Sequence, residues 1–164
     1  MNTLKLIAFD EEDLAVVSAH VQDAVLKIGD MTFQPRAKRF VVLLRRFDWA
    51  ELVSTQGKAR QRRQTALRFE RVLGASHLGI DLQAPGAVLS LLAIQYAQAK
   101  PEDPAGSIML TFAGGGAVRL EVECVEAELR DLGPRWHAKL RPEHPDDDTE
   151  PRTAERGTAK SGQN

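Results

Sequence analysis

The sequence predicts an α+β domain: a mostly antiparallel, strongly bent sheet or small barrel of about six or seven strands, with an N-terminal helix and a short C-terminal helix. Three observations carry this. Two segments of period-two alternation, 107–112 and 117–124, flank the glycine tract Gly114–Gly116. Behind an acidic turn, Leu14, Val17, Val21 and Ala24 recur at helical spacing. After Cys124 the period shifts toward 3.6, at Val125, Leu129 and Leu132.

In chain order, Leu4 to Ala8 is a short apolar run expected at a sheet edge. Asp10 then caps a helix whose first turn is acidic, Glu11-Glu12-Asp13, where carboxylates complement the exposed N–H groups. Val25 to Gln34 resumes strand character with a turn or bulge at Gly29-Asp30. A four-residue loop, Pro35 to Lys38, sets Phe33 opposite Phe40 and Met31 opposite Val42. Arg39 to Phe47 is apolar on both faces, Phe40, Val42 and Leu44 against Val41 and Leu43, which predicts a central strand covered on both sides.

Ser54 to Gln64 is polar and basic, and is expected as an exposed, mobile loop. Thr65 to Leu73 follows as a strand with Leu67, Phe69 and Leu73 inward and Arg68 and Glu70 outward. Val88 to Ala97 is a second two-sided strand, reached through Gly79 and Pro85-Gly86. In the glycine hairpin, a two-residue turn would set Leu110 opposite Arg119, so a three-residue loop is required. With Gly114–Gly116 as that loop, Phe112 faces Val118, Leu110 faces Leu120 and Ile108 faces Val122. The glycines follow from turn geometry: no helix N-terminus comes after them, and neither phosphate-binding glycine motif is present. Val125 to Leu132 is expected as a short helix ending at Gly133-Pro134, with continuation as strand to Leu129 the alternative. The expected domain is 1–137, followed by a disordered charged tail, 138–164, since Arg141 to Asn164 holds only Ala154 and Ala159 as apolar residues.

Cys124 stands alone, on the expected inward face of its strand, so no internal disulfide can form. Met1 to Ala8 lacks the features of a targeting segment, and no stretch is long enough to span a bilayer. A cytoplasmic protein with no membrane partner is the expectation.

Several stretches together, Leu4 to Ala8, Arg39-Phe40 through Arg46-Phe47-Asp48-Trp49, Leu67 to Val72, Phe112 to Gly116 through Glu123-Cys124, Asp131 to Pro134 and Trp136, resemble an uncharacterised bacterial family of domains of unknown function, family 2948. The resemblance spans roughly residues 3 to 137 and implies no activity, cofactor or site residue. In order of elements alone, many strands and a closing helix, the chain is also similar to pleckstrin-homology-like barrels.

Function is approached through charge. Net charge is −1, but residues 1–34 carry −4, residues 35–71 carry +8 and the remainder −5. Lys58, Arg60, Arg62 and Arg63 on the expected loop, with Arg36, Lys38, Arg45, Arg46, Arg68 and Arg71 nearby, compose a candidate cationic surface for RNA or another polyanion. Trp49 and Trp136 are candidate partner anchors, with capping of the core as the competing role. Neither His20 nor His77 has a sequence-adjacent carboxylate or a Ser/Cys arrangement that suggests an oriented base, so no catalytic residue is assigned. His137, His144 and Asp146 to Asp148 lack metal-ligand spacing, and no metal or cofactor is expected. The leading expectation is a non-enzymatic module that binds a protein partner through an open sheet face or edge. Polyanion binding through 35–71 is the alternative.

Overall fold

The computed structural model describes residues 3–47 and 62–133. The chain divides into two units, Met1–Asp131 and Leu132–Asn164, and the architecture below is that of the first. Trp49, Lys58, Arg60, Trp136 and the expected domain boundary at 137 lie outside the described residues.

Ten strands and one α-helix form among the described residues: β1 (Lys5–Ala8), α1 (Glu11–His20), β2 (Val25–Lys27), β3 (Met31–Gln34), β4 (Arg39–Phe47), β5 (Arg62–Glu70), β6 (Val72–Leu78), β7 (Val88–Gln98), β8 (Gly106–Phe112), β9 (Ala117–Val122) and β10 (Ala127–Asp131). All pairings are antiparallel. The strand order is β1-β10-β5-β4-β2-β7-β8-β9-β6, an open path with β1 and β6 at its ends, and β3 pairs with β4 alone.

The expected six or seven strands become ten for identifiable reasons. A 3₁₀ turn at Ile28–Asp30 splits the 25–34 run into β2 and β3. Arg71, at φ +62°, breaks the run after Glu70 and separates β5 from β6. That left-handed residue also resets the alternation, so Val72 is buried and Leu73, expected inward, is 55% exposed. The expected C-terminal helix is strand β10, paired with β5 and β1, and the pleckstrin-like order loses its closing helix there. Its inward positions are Ala127, Leu129 and Asp131 at period two. An aspartate in an apolar register is what made the helical spacing look better. Likewise Arg62, Arg63 and Gln64, expected in a loop, open β5 opposite Phe47, Arg46 and Arg45.

Other expectations hold. Asp10 Oδ1 accepts the Asp13 N–H (2.8 Å) and Asp13 Oδ2 accepts the Phe9 N–H (3.0 Å), a reciprocal cap on α1. Leu14, Val17, Val21 and Ala24 are all buried, and the helix packs on β7 and β1. Phe33 faces Phe40 and Met31 faces Val42. Strand β4 lies inside the sheet, Phe40, Val42 and Leu44 buried, although Val41 and Leu43 on its other face are only half-buried. Strand β7 is less covered than expected, with Val88 64% and Leu92 44% exposed. A bulge between Leu91 and Ala93 lets Leu91 and Ile94 both point inward, and the Ile94 N–H freed from the ladder donates to Ser18 Oγ of α1 (3.0 Å).

The glycine hairpin does close through a three-residue loop, but through Ala113–Gly115. The Phe112 N–H donates to Gly116 O (2.8 Å), and Leu110 faces Val118 and Ile108 faces Leu120. This two-residue slip keeps every apolar side chain on the core face, so alternation could not distinguish the two registers. Gly114 and Gly115 take positive φ, +91° and +102°. Gly116 serves a different need, because a Cβ there would meet Ile80 Cγ1 at 3.1 Å and Gly79 O at 3.2 Å. Cys124, expected inward on the second strand, instead lies past the end of β9 and is half-buried with a free thiol.

Gly106 is the tightest of these positions, since a Cβ would lie 2.2 Å from Ala97 O. Gly106→Ala is expected to destabilise by about 1–3 kcal/mol through forced displacement of β7 from β8. Gly74→Ala, into open space, should be neutral or stabilising by up to about 1 kcal/mol. Urea unfolding of the two variants measures the contrast.

Candidate functional site

The cationic candidates separate into distinct environments. Lys38 pairs with Glu123 (3.0 Å), Arg71 approaches Glu123 and Glu126 (both 3.5 Å), and Arg68 pairs with Glu70 and Glu128. The hydrogen bond from Lys38 holds Glu123 below the usual carboxylate range despite the opposing effect of desolvation. Arg62 stacks over the Phe47 ring, 3.9 Å from its centroid, and donates to the Asp23 and Arg45 carbonyls. Arg63 lies beside it in β5. Arg36 and Arg45 are exposed, with no ion pair among the described residues.

Arg46 is not a surface residue at all. It continues the inward parity of Phe40, Val42 and Leu44, and is 5% exposed. Its Nε donates to Asp131 Oδ1 (2.9 Å), its Nη2 to Asp131 Oδ2 (2.7 Å) and its Nη1 to the Phe47 carbonyl (3.0 Å). The Thr65 hydroxyl donates to Asp131 Oδ1 (2.9 Å), and the Leu4 N–H to Asp131 Oδ2 (2.8 Å). The Asp131 N–H returns a bond to Leu4 O (2.9 Å). Such a bidentate pair with every lone pair engaged is the form in which a buried charge is tolerated. Parity within β4 was the available signal for Arg46; for Asp131 there was none without its partner.

A second constellation went unread in the sequence. An apolar, partly open cleft of about 200 Å³ lies between the β3–β4 hairpin and β6. Its floor is Ile28, Phe40, Ile80 and Val118, all buried; Met31, Phe33 and the exposed Leu82 form its rim. Ala75, Ser76 and His77 line it as three consecutive residues of β6. Successive strand side chains point to opposite faces, so three in a row line one wall only where a strand presents its edge. Among the described residues that edge is unpaired: β6 bonds β9 on one side and ends the strand path, while β3 bonds only β4. The Val72 N–H donates to Lys38 O (2.9 Å) at one end of the gap. Sequence alone could not bring residues 28–40 against 75–82 and 118.

Ser76 and His77, as neighbours in one strand, face opposite ways and form no nucleophile–base pair. His20 Nδ1 donates to Val16 O (3.0 Å) within its own helix. Among the described residues no three or more His, Cys, Asp or Glu side chains gather to hold a metal, and no helix is long and apolar enough to cross a membrane. His137, His144 and Asp146 to Asp148 lie outside the described residues.

Among the described residues, fold and site together define an open, β-rich architecture with a capped helix, a buried ion pair and an apolar cleft beside a strand edge that no other described strand pairs. The model of the family Protein of unknown function (DUF2948) matches residues 4–144, and the chain belongs to that family. Comparison with curated proteins and with solved structures found no match.

Two outcomes are expected of the ion pair. Arg46→Met leaves a buried carboxylate without its cation and should cost about 3–5 kcal/mol in urea unfolding at neutral pH. Burial alone would raise the Asp131 carboxyl, but the bonds from Arg46, the Leu4 N–H and Thr65, with the Arg46 charge, outweigh it and hold the group below the usual range. The resulting stability is complete above the unfolded carboxyl value of about 3.9 and is lost as pH falls through the lower folded value. Asp131→Asn should therefore lower Tm at neutral pH and flatten the fall in Tm below about pH 4.

Proposed function

We propose that this domain is a binding module that seats an extended segment of a protein partner in the cleft between β3 and β6. The partner backbone would lie along the unpaired β6 edge while an apolar side chain enters the floor between Phe40, Ile80 and Val118. What carries this reading is the coincidence of a free strand edge with an apolar cavity, the combination that strand-addition recognition uses for affinity and selectivity. Size favours it over a free small molecule. Ligand pockets run to roughly 300–1,000 Å³, whereas about 200 Å³ suits one or two anchoring side chains.

Polyanion binding is the weaker proposal. Lys38, Arg68 and Arg71 are matched to carboxylates and Arg46 is internal, which leaves Arg36 and Arg45 as the exposed candidates without an ion pair among the described residues. A surface that binds phosphates needs cations free to exchange their counterions.

Selection of short random peptides on the immobilised full-length chain should enrich sequences with apolar residues at alternate positions. Leu82→Glu and Met31→Glu, which place charge on the rim, should each weaken the selected peptides at least about tenfold, read by fluorescence anisotropy. Peptides that bind both variants as they bind the wild type would exclude the cleft. A steep loss of RNA affinity with salt, insensitive to Leu82→Glu, would favour the polyanion proposal instead.

A further inference from the structure

The cleft between β3 and β6 is bounded at both ends by backbone hydrogen bonds, and its two ends differ in charge. At one end the Val72 N–H donates to Lys38 O (2.9 Å), and the Pro35–Ala37 turn packs against β6. At the other end the Gly29 N–H donates to Pro85 O (2.8 Å), which ties the loop after β6 to the turn before β3. Strand β3 therefore runs toward the Pro35–Ala37 end and β6 away from it. Between the ends lie the four residues of β3, about 13 Å of extended chain.

The turn end is cationic. Lys38 and Arg71 are matched by Glu123 and Glu126, but Arg36, in the turn itself, is exposed and has no ion pair among the described residues. The loop end is anionic. Asp81, exposed, stands between Ile80 and Leu82, which both line the cleft, and Asp30 directly precedes the rim residue Met31. Asp81 Oδ1 accepts the Gln83 N–H (2.9 Å), and neither carboxylate has an ion pair among the described residues. The cation nearest in sequence, Lys27, alternates with the buried Leu26 and so points to the sheet face opposite the core, whereas the cleft floor is part of the core.

Resting on the cleft reading, we propose that this site selects a partner segment that is basic before its apolar anchor and acidic after it. Antiparallel pairing with β6 is the more stable arrangement, and it puts the N-terminal side of the partner segment at the loop end. Its Lys or Arg then meets Asp30 and Asp81, and its Asp or Glu meets Arg36. A segment of the opposite polarity sets like charges together at both ends, which is how the site rejects it.

The test uses the full-length chain and two short fluorescent peptides of one composition with blocked termini, Lys-Lys-Leu-Thr-Leu-Thr-Glu-Glu and Glu-Glu-Leu-Thr-Leu-Thr-Lys-Lys. Anisotropy titration should show the Lys-first peptide bound at least about fivefold more tightly, with the gap closing as salt is raised. Arg36→Glu combined with Asp81→Lys, both at exposed positions, should erase or reverse that preference with circular dichroism unchanged. Ala75→Trp, at an exposed position of the cleft wall, fills the cleft without adding charge and should weaken both peptides. Equal affinity of the two peptides for the wild type, with both weakened by Ala75→Trp, overturns the polarity and leaves the cleft reading standing. A preference that survives the double substitution overturns it as well. Binding indifferent to Ala75→Trp, or no binding of either peptide, overturns both readings.

Discussion

The bidentate bond between Arg46 and Asp131 joins four pieces of chain that are distant in sequence. Arg46 comes from the end of β4, Thr65 from the start of β5, Asp131 from the end of β10 and Leu4 from the residue before β1. These are the four strands at one end of the sheet path, β1-β10-β5-β4. Hydrogen bonding between strands is periodic and tolerates slippage, but a buried ion pair with a fixed fork does not. A slip of one residue in β10 would turn Asp131 away and leave Arg46 charged in an apolar interior. The pair thereby sets the register of this end of the sheet.

Away from that pair the interior is apolar. Phe69, Phe112, Leu44, Leu67, Leu110, Leu120 and Leu129 are essentially inaccessible, and among the described residues no buried side-chain polar atom lacks a partner. The sheet is nonetheless left incomplete. Strands β5 and β6 are joined through the single residue Arg71, yet β5 pairs with β4 and β10 while β6 pairs with β9. The chain thus leaves one part of the sheet and enters the other with no connecting loop, and the gap beside β3 follows from that turn. The candidate cleft is a consequence of how the sheet bends.

Much of the fold was legible in the sequence because period two and turn chemistry are local. The alternation in 39–47, the Pro35–Lys38 loop and the capped helix all survive in the structure, and the core faces of β8 and β9 were read correctly even with the hairpin register two residues off. Misreadings cluster where one residue upsets the period: the left-handed Arg71, the bulge after Leu91 and the inward Asp131. The basic segment was visible as composition. That Lys38, Arg68 and Arg71 face glutamates was not, because those carboxylates come from 70 and 123–128 and cross-strand pairing sets the meeting.

By itself the amino-acid order determined the antiparallel β character, the N-terminal helix and the sidedness of the central strands, since these depend on neighbours within a few residues. Only the tertiary structure decided that Asp131 belongs inside, that β6 ends the strand path of the described residues, and that residues 28–40 and 75–82 line one partly open cleft. A buried charge is stable only once its distant counterion is in place, and a cleft exists only between surfaces that folding brings together.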